Sequence, residues 1–466
     1  MFWRKGIDNL EKTKDERYRL MVETPVRKLI LKLAVPTIIS MLVTGLYNSA
    51  DTFFVGKIST EATAAVGIVF SVMAIIQAMG FFCGHGSGNY IARMLGSGNH
   101  KEANEAASTG FALAVILGLI TAACGIAMSD RIAHLLGGNV SPQTISDSKS
   151  YMTIILLGAP LMMGQFVINN QLRFQGNAMY AMIGLMAGAV INVALDPLLI
   201  FVFNMGVKGA AWATVGGQTV SFFVLFAGVM RGNSIHLSIK NVRLNVHYIF
   251  EIVNGGAPSL FRQGLASIAT IMLNKAAGDL GGDAAIAGMS VATRVLMLLS
   301  CALIGFGQGF QPMCSYNYGA GLGARVKEGF TFCVKYGTIF LLGIAAVCFA
   351  FAPQIIAMFR DDPDVIEVGT AALRFQSLTL PLMGFTVITN MMLQSMGKGL
   401  KATITSSARN GIFFIPFILI LPKLFGLTGV ESTQAAADLC ALLLAIPFAV
   451  SELGNLSQTK ETNRDE

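Results

Sequence analysis

Apolar runs of about twenty residues recur along nearly the whole chain, each long enough to cross roughly 30 Å of hydrocarbon as a helix. That repetition leaves few folds open. A transmembrane β-barrel would alternate apolar and polar residues in segments of about ten, and these runs are continuous instead. Only 13% of the 466 residues are charged, against roughly 25% in a soluble domain, and the mean hydropathy is +0.63. The chain therefore reads as an all-α polytopic membrane protein.

The polar breaks separate twelve candidate helices, at 29–55, 65–89, 106–128, 150–174, 179–203, 207–230, 247–277, 284–312, 326–351, 366–395, 402–422 and 430–450. The net charge of +7 is not a nucleic-acid face. Its lysines and arginines crowd the N-terminal tail and alternate loops (Arg93, Lys101, Arg173, Arg231, Lys240, Arg243, Arg325, Lys327, Lys398, Lys401), which is the positive-inside pattern and places both termini in the cytosol. The expected organisation is a cytosolic tail over 1–28, an N-lobe over 29–230, a cytosolic linker over 231–246, a C-lobe over 247–450 and a cytosolic tail over 451–466. The first tail is too long and polar for a cleavable signal peptide and reads as a partly helical segment lying against the membrane.

The two halves repeat at an offset of 221 to 223. Pro36 answers Pro258, Gly84-x-Gly86-x-Gly88 answers Gly305-x-Gly307-x-Gly309, Gly96-Ser-Gly98 answers Gly319-Ala-Gly321, Pro160-Leu-Met answers Pro381-Leu-Met, and Asn169 answers Asn390. Because six spans return the chain to its starting side, the copies are parallel: two six-helix lobes about a pseudo-two-fold axis along the membrane normal, with a substrate path expected between them. The glycines serve close helix packing. No strand or βαβ unit surrounds them, so they are not a nucleotide loop.

Two carboxylates stand where charge is expensive. Asp51 lies near the outer end of the first span, and Asp196 sits in Asn192-Val-Ala-Leu-Asp196-Pro197 of the fifth. A charge at mid-bilayer costs at least about 2.5 kcal/mol, so such residues face cavities and act on ions or substrates. Residues four apart share a helix face, which sets Tyr47 beside Asp51 and Asn192 beside Asp196. Thr214 lies about as far after the outward turn near Met205-Gly206 as Asp196 lies before it, so the two share a depth. Burial and a neighbouring carboxylate both disfavour ionisation, so the pair suits uptake of a proton or a small cation such as Na+. The bland alternatives are a solvated helix end for Asp51 and interhelical glue for Asp196. The second half's spans are expected to hold no comparably placed acid. They carry Arg262, Arg294, Arg374 and Arg409, with Gln263 and Gln376, which either bind anionic groups or snorkel. Gln165, Asn169, Arg262, Gln263 and Asn390 are the candidate substrate contacts. Seven dispersed cysteines and five dispersed histidines show no metal-ligand spacing, so neither a metal site nor a cofactor is expected.

Asp51-Thr52, Asn192-x-x-x-Asp196-Pro197 and Gly209-Ala-Ala-x-Ala-Thr214, more loosely joined by Pro36 and Gly96-Ser-Gly98, resemble the multidrug and toxic compound extrusion (MATE) transporters, in particular the MepA-type bacterial branch. The resemblance covers roughly residues 25–450. It implies a twelve-helix, two-lobed antiporter of a bacterial cytoplasmic membrane, exporting organic, often cationic drugs in exchange for H+ or Na+. It also implies that Tyr47, Asp51, Asn192, Asp196 and Thr214 form an N-lobe cation site. Some members carry further acids in the seventh and tenth helices. Arg262, Gln263, Arg374, Gln376 and Asn390 stand there instead, which moves coupling onto Asp51 and Asp196. The alternative within the same superfamily is a lipid-linked saccharide flippase. The expected partners are small-molecule drugs and the lipid bilayer, with no nucleic acid, and the expected state is a monomer. No nucleophile, paired acids at an interface or metal cluster suggests an enzyme.

Overall fold

The computed structural model describes residues 16–137, 141–231 and 235–462, and among them the side chains of all but 46–50, 52 and 457–462. The expected tail over 1–28 lies outside it up to residue 15. A short helix over 16–23 precedes the first span. The long helices are α1 (Val26–Gly56), α2 (Thr60–Gly96), α3 (His100–Ala127), α4 (Pro142–Phe174), α5 (Ala178–Val202), α6 (Val207–Arg231), α7 (246–281), α8 (283–319), α9 (Gly323–Ala350), α10 (Pro363–Ser395), α11 (Gly399–Phe425) and α12 (Leu427–Thr462). Helices α7 and α8 are continuous except at Gly282, whose φ of 60° breaks the run. No strand occurs among the described residues. Twelve long helices are thus present among the described residues, consistent with the hydropathy pattern.

The helices outrun the apolar stretches that announce them. Hydropathy registers only what lies in hydrocarbon, whereas the polar end turns are helical because their orphan N–H groups find caps. Ser59 accepts from Ala62 N at 3.0 Å, Asn99 from Glu102 N at 3.3 Å and Ser141 from Thr144 N at 3.2 Å. Pro142 and Pro363 occupy first-turn positions where no N–H is needed. Helix α12 likewise continues through the segment expected as a tail, and Glu452, nearly inaccessible, accepts from Lys401 at 2.6 Å.

The repeat is visible in the backbone hydrogen bonds. After α2, Asn99 N donates to Met94 O and Gly98 N to Leu95 O; after α8, Leu322 N donates to Asn317 O and Gly321 N to Tyr318 O. The same pair of bonds closes α4 at Gly176 and α10 at Gly397. All four glycines have φ between 73° and 81°, the left-handed conformation that ends a helix cheaply only at glycine.

Two compact units result, one of 1–24 and 35–256, the other of 25–34 and 257–466. The border does not follow the repeat, because the opening turns of α1 and α7 change sides. In the first unit Gly86 of α2 packs against the backbone of Ile252. In the second, Gly309 of α8 packs on Ala34, where a Cβ would come within 2.5 Å of the Ala34 nitrogen. The segment expected as a linker is held along α3. His236 N donates to Asn104, Ser238 N to Ser108 and Arg243 N to Thr109, at 2.8, 3.2 and 2.9 Å.

Small residues set the spacing inside the first unit. On α2, Gly80 and Gly84 receive Phe166 and Asn170 of α4, with a Cβ at either position only 2.8 Å from the nearest atom. Gly188 of α5 and Gly217 of α6 meet backbone to backbone, so that a Cβ on either would lie 2.7 Å from the other's carbonyl oxygen. Gly188→Ala should therefore force α5 and α6 apart and cost about 1–3 kcal/mol. Gly343→Ala, where nothing lies within 4 Å of the new methyl, should be neutral or mildly stabilising. Thermal unfolding of the purified variants measures the difference.

Candidate functional site

The first unit brings four of the five expected exchange residues into one place. Asn192 and Asp196 lie one turn apart on α5, both buried, and Asp196 is 0% exposed. The contact between α5 and α6 fixes the level of Thr214. Asn192 Cβ faces Gly217, Leu195 faces Gly216 and Leu199 faces Gly209, which sets Asp196 opposite the stretch that contains buried Thr214. Asp51, half-buried on α1, is close enough for its charge to act on Asp196. The side chain of Tyr47, like that of Thr52, lies outside the described residues.

Immediately after Asp196 the helix changes character. Pro197 has no N–H to donate, and Leu198–Val202 form a π-helical turn closed by Phe203 N donating to Leu198 O at 3.0 Å. Such turns loosen the regular ladder and recur at functional positions.

Hydrogen bonding separates this group from ordinary interhelical glue. Asp51 Oδ1, both carboxylate oxygens of Asp196, and both Oδ1 and Nδ2 of Asn192 are buried with no partner among the described residues. Each unpaired buried polar atom costs about 1–3 kcal/mol, and more if charged. The unpaired set comprises one oxygen of Asp51 and both of Asp196. The donor set of carboxylate, amide and hydroxyl oxygens is of a chemistry that suits a proton or a hard monovalent cation. No group of three or more His, Cys, Asp or Glu side chains able to hold a metal occurs among the described residues.

Two residues near this site were not among the candidates. Tyr151 and Ser148 of α4 are fully buried, and Ser148 Oγ has no partner among the described residues. Tyr151 shares its apolar cluster with Val55, Ile200 and Val207, which flank Asp51, Asp196 and Thr214 along their helices. The sequence gives them little signal, because Ser146, Asp147, Lys149, Ser150 and Thr153 surround them with other polar residues.

The candidate substrate contacts divide differently. Asn169 Nδ2 donates to Ala181 O at 3.0 Å and Asn390 Nδ2 to Ala402 O at 2.6 Å. Donor and acceptor are both displaced by 221, so the two asparagines make the same α4–α5 and α10–α11 tie. Gln165 Nε2 donates to Ser221 Oγ at 3.1 Å, joining α4 to α6, while its Oε1 has no partner among the described residues. Arg262 and Gln263 are half-buried neighbours on α7. Arg374 lies over the Phe349 ring at 5.6 Å.

One expectation fails. The second half does carry a deeply placed acid: Asp438 of α12 is 5% exposed. It escapes notice in the sequence because its charge is answered from another helix, by Arg409 Nε donating to Asp438 Oδ1 at 2.6 Å.

Comparison with known proteins agrees with this architecture. The MatE family model matches residues 36–198 and again 258–420, once in each half. Multidrug export protein MepA of Staphylococcus aureus (strain MSSA476) is 29% identical over 433 residues, covering 92% of this chain and 95% of that protein. Its namesake from Staphylococcus saprophyticus is 28% identical over 436 residues, with the same coverage. Among solved structures, MATE in the bent conformation superposes with a TM-score of 0.89 at 26% identity, over 95% of this chain and 98% of that one. A MOP superfamily transporter from Pyrococcus furiosus, described as having a binding pocket of reverse polarity, gives 0.88 at 26% identity, over 94% and 98%.

If the paired asparagines act as ties, Asn169→Ala and Asn390→Ala should each lower stability by about 1 kcal/mol, and by similar amounts. Denaturation of the two variants side by side checks this, and unchanged stability would mean that the side chains are not structural.

Proposed function

The chain belongs to the MatE family, and on that footing we propose that it is a multidrug exporter that expels organic, often cationic compounds in exchange for protons or sodium ions. It is a multi-pass membrane protein and not an enzyme. The observation that carries the exchange reading is the set of unpartnered polar atoms on Asp51, Asn192 and Asp196. These groups are stable only when an ion or proton joins them, so their occupancy can alternate as the site opens to one side of the membrane and then the other. The charge change is what couples cargo to gradient: a transporter does useful work only if the ion binds the two conformations with different affinity.

The curated relatives named above are multidrug exporters, which lends the saccharide flippase reading no support. The distribution of lysine and arginine supports a bacterial cytoplasmic membrane with both termini inside, and the reading needs only a monomer, since the exchange residues come from one unit of one chain.

Asp196→Asn removes the titratable group but keeps its shape. In vesicles it should abolish gradient-driven efflux of a cationic dye while leaving dye binding measurable. Full efflux from a normally expressed variant would sink the assignment. Imposing a pH gradient and a sodium gradient separately on wild-type vesicles identifies the ion.

A further inference from the structure

Between α6 and α7 the chain does not turn tightly, as it does on the same side after α2, α4, α8 and α10. It runs along α3 and is fastened there. His236 N donates to Asn104 and Ser238 N to Ser108. The Thr109 hydroxyl accepts from Arg243 N at 2.9 Å and donates to Arg243 O at 3.4 Å. Between these ties Asn241 N donates to Ser238 O at 2.9 Å and Val242 N to Ile239 O at 3.2 Å, closing a single 3-10 turn. Asn245 then caps α7 by accepting from Tyr248 N at 3.1 Å.

The segment has two faces. Ile235 is buried, and Leu237 packs with Ile168, Leu172 and Leu225 of the first unit. From Ile239 onward the apolar side chains turn outward. Ile239 is 92% exposed and Val246 85%, while Leu244 and Phe250 are each more than half exposed. Lys240, exposed and without a partner among the described residues, stands among them with Arg243, whose side chain is 55% exposed and 3.6 Å from Glu105. Glu105 also accepts from Tyr248 Oη at 2.6 Å, and Glu102 from Tyr90 Oη at 2.7 Å. The charge facing outward beside the apolar patch is therefore positive. Bare aliphatic groups on a segment held this firmly would be costly in water.

Depth indicates what covers them. The apolar run of α3 begins at Ala106, so Ser108 and Thr109 lie about 3 to 5 Å inside it at 1.5 Å per residue. The segment tied to them thus runs where hydrocarbon gives way to headgroups, and not in the water beyond the end of α3. Val246 and Phe250, one turn apart on α7, carry the patch onto a spanning helix. Aliphatic side chains interleaved with cations at that level suit an interfacial anchor, in which the apolar groups enter the acyl boundary and the cations reach the phosphates.

We propose that residues 235–246 form an amphipathic strap seated in the membrane surface, where Lys240 and Arg243 select anionic phospholipids. A leaflet's negative surface potential attracts each nearby lysine or arginine. Ile239, Leu244, Val246 and Phe250 hold the strap at the level of those headgroups. Only the identification of this leaflet as the cytosolic one rests on the reading proposed above; lipid binding is measured without transport.

The test uses the full-length protein in lipid nanodiscs. Trp3→Phe and Trp212→Phe remove both native tryptophans, and Ile239→Trp then sets a single fluorescent reporter on the strap. Brominated zwitterionic lipid should quench this reporter strongly. A reporter at Ser97→Trp, in the turn before α3, should respond to aqueous iodide instead. With brominated phosphatidylglycerol as about one-fifth of otherwise unbrominated zwitterionic lipid, quenching at position 239 should report a local fraction at least about twofold above the bulk. High salt should lower that enrichment. Lys240→Gln with Arg243→Gln should abolish it, while quenching by fully brominated zwitterionic lipid persists because the apolar side chains still seat the strap. Iodide quenching without lipid quenching at position 239, a local fraction equal to the bulk, enrichment that survives the double variant, or loss of all lipid quenching in that variant would overturn the proposal.

Discussion

A peptide group in hydrocarbon has no water to bond, so every N–H and C=O inside the membrane must find its partner within the chain. The all-helical architecture follows from that constraint, and so does the way polar side chains are used. Where α4 crosses α2 and α3, Gln171 Nε2 is shared between Ser87 Oγ and Ala107 O at 3.2 and 3.0 Å. In the second unit Gln311 donates to Gln394, which donates to Ser259, at 2.9 and 3.0 Å. Each bond spans two helices and leaves its donor satisfied. Buried oxygens of Gln165, Gln171, Ser148, Thr370 and Thr389 also have no partner among the described residues, but those of Asp51 and Asp196 belong to carboxylates.

The two units solve the same packing problem with different residues. The contact between the fifth and sixth helices of the first unit is backbone on backbone through Gly188 and Gly217, which leaves a tight crossing below Asn192 and Asp196. The matching helices of the second unit are bridged by Arg409 and Asp438. Swapping a buried ion pair for apolar groups is often neutral or stabilising, so stability alone gives little reason for charge at that crossing. One half thus keeps uncompensated acids and the other a self-compensated pair, although the backbone of the repeat is the same.

Much of this was legible in the sequence. Twelve spans and the twofold repeat follow from the apolar runs and from Gly98, Gly176, Gly321 and Gly397, whose spacing marks the same turn four times. The shared face of Asn192 and Asp196 and the matching depth of Thr214 were legible because helical spacing and depth are short-range arithmetic. Other features were hidden because their meaning lies in long-range pairing. Asn169 and Asn390 read as ligand contacts until their carbonyl partners twelve residues on are seen. Asp438 lies inside the twelfth expected span, 430–450, and only the structure sets Arg409 beside it. The ends of α2, α4 and α12 were set too short because hydropathy does not register capped polar turns.

The crossing-over of the opening turns of α1 and α7 bears on how the chain is made. Synthesis delivers residues 25–34 well before Gly309 of α8, against which Ala34 packs. The opening turns of α1 therefore wait, unfinished, until α8 has been made. Severing the chain within the segment held along α3 would leave each fragment without a piece of its own wall.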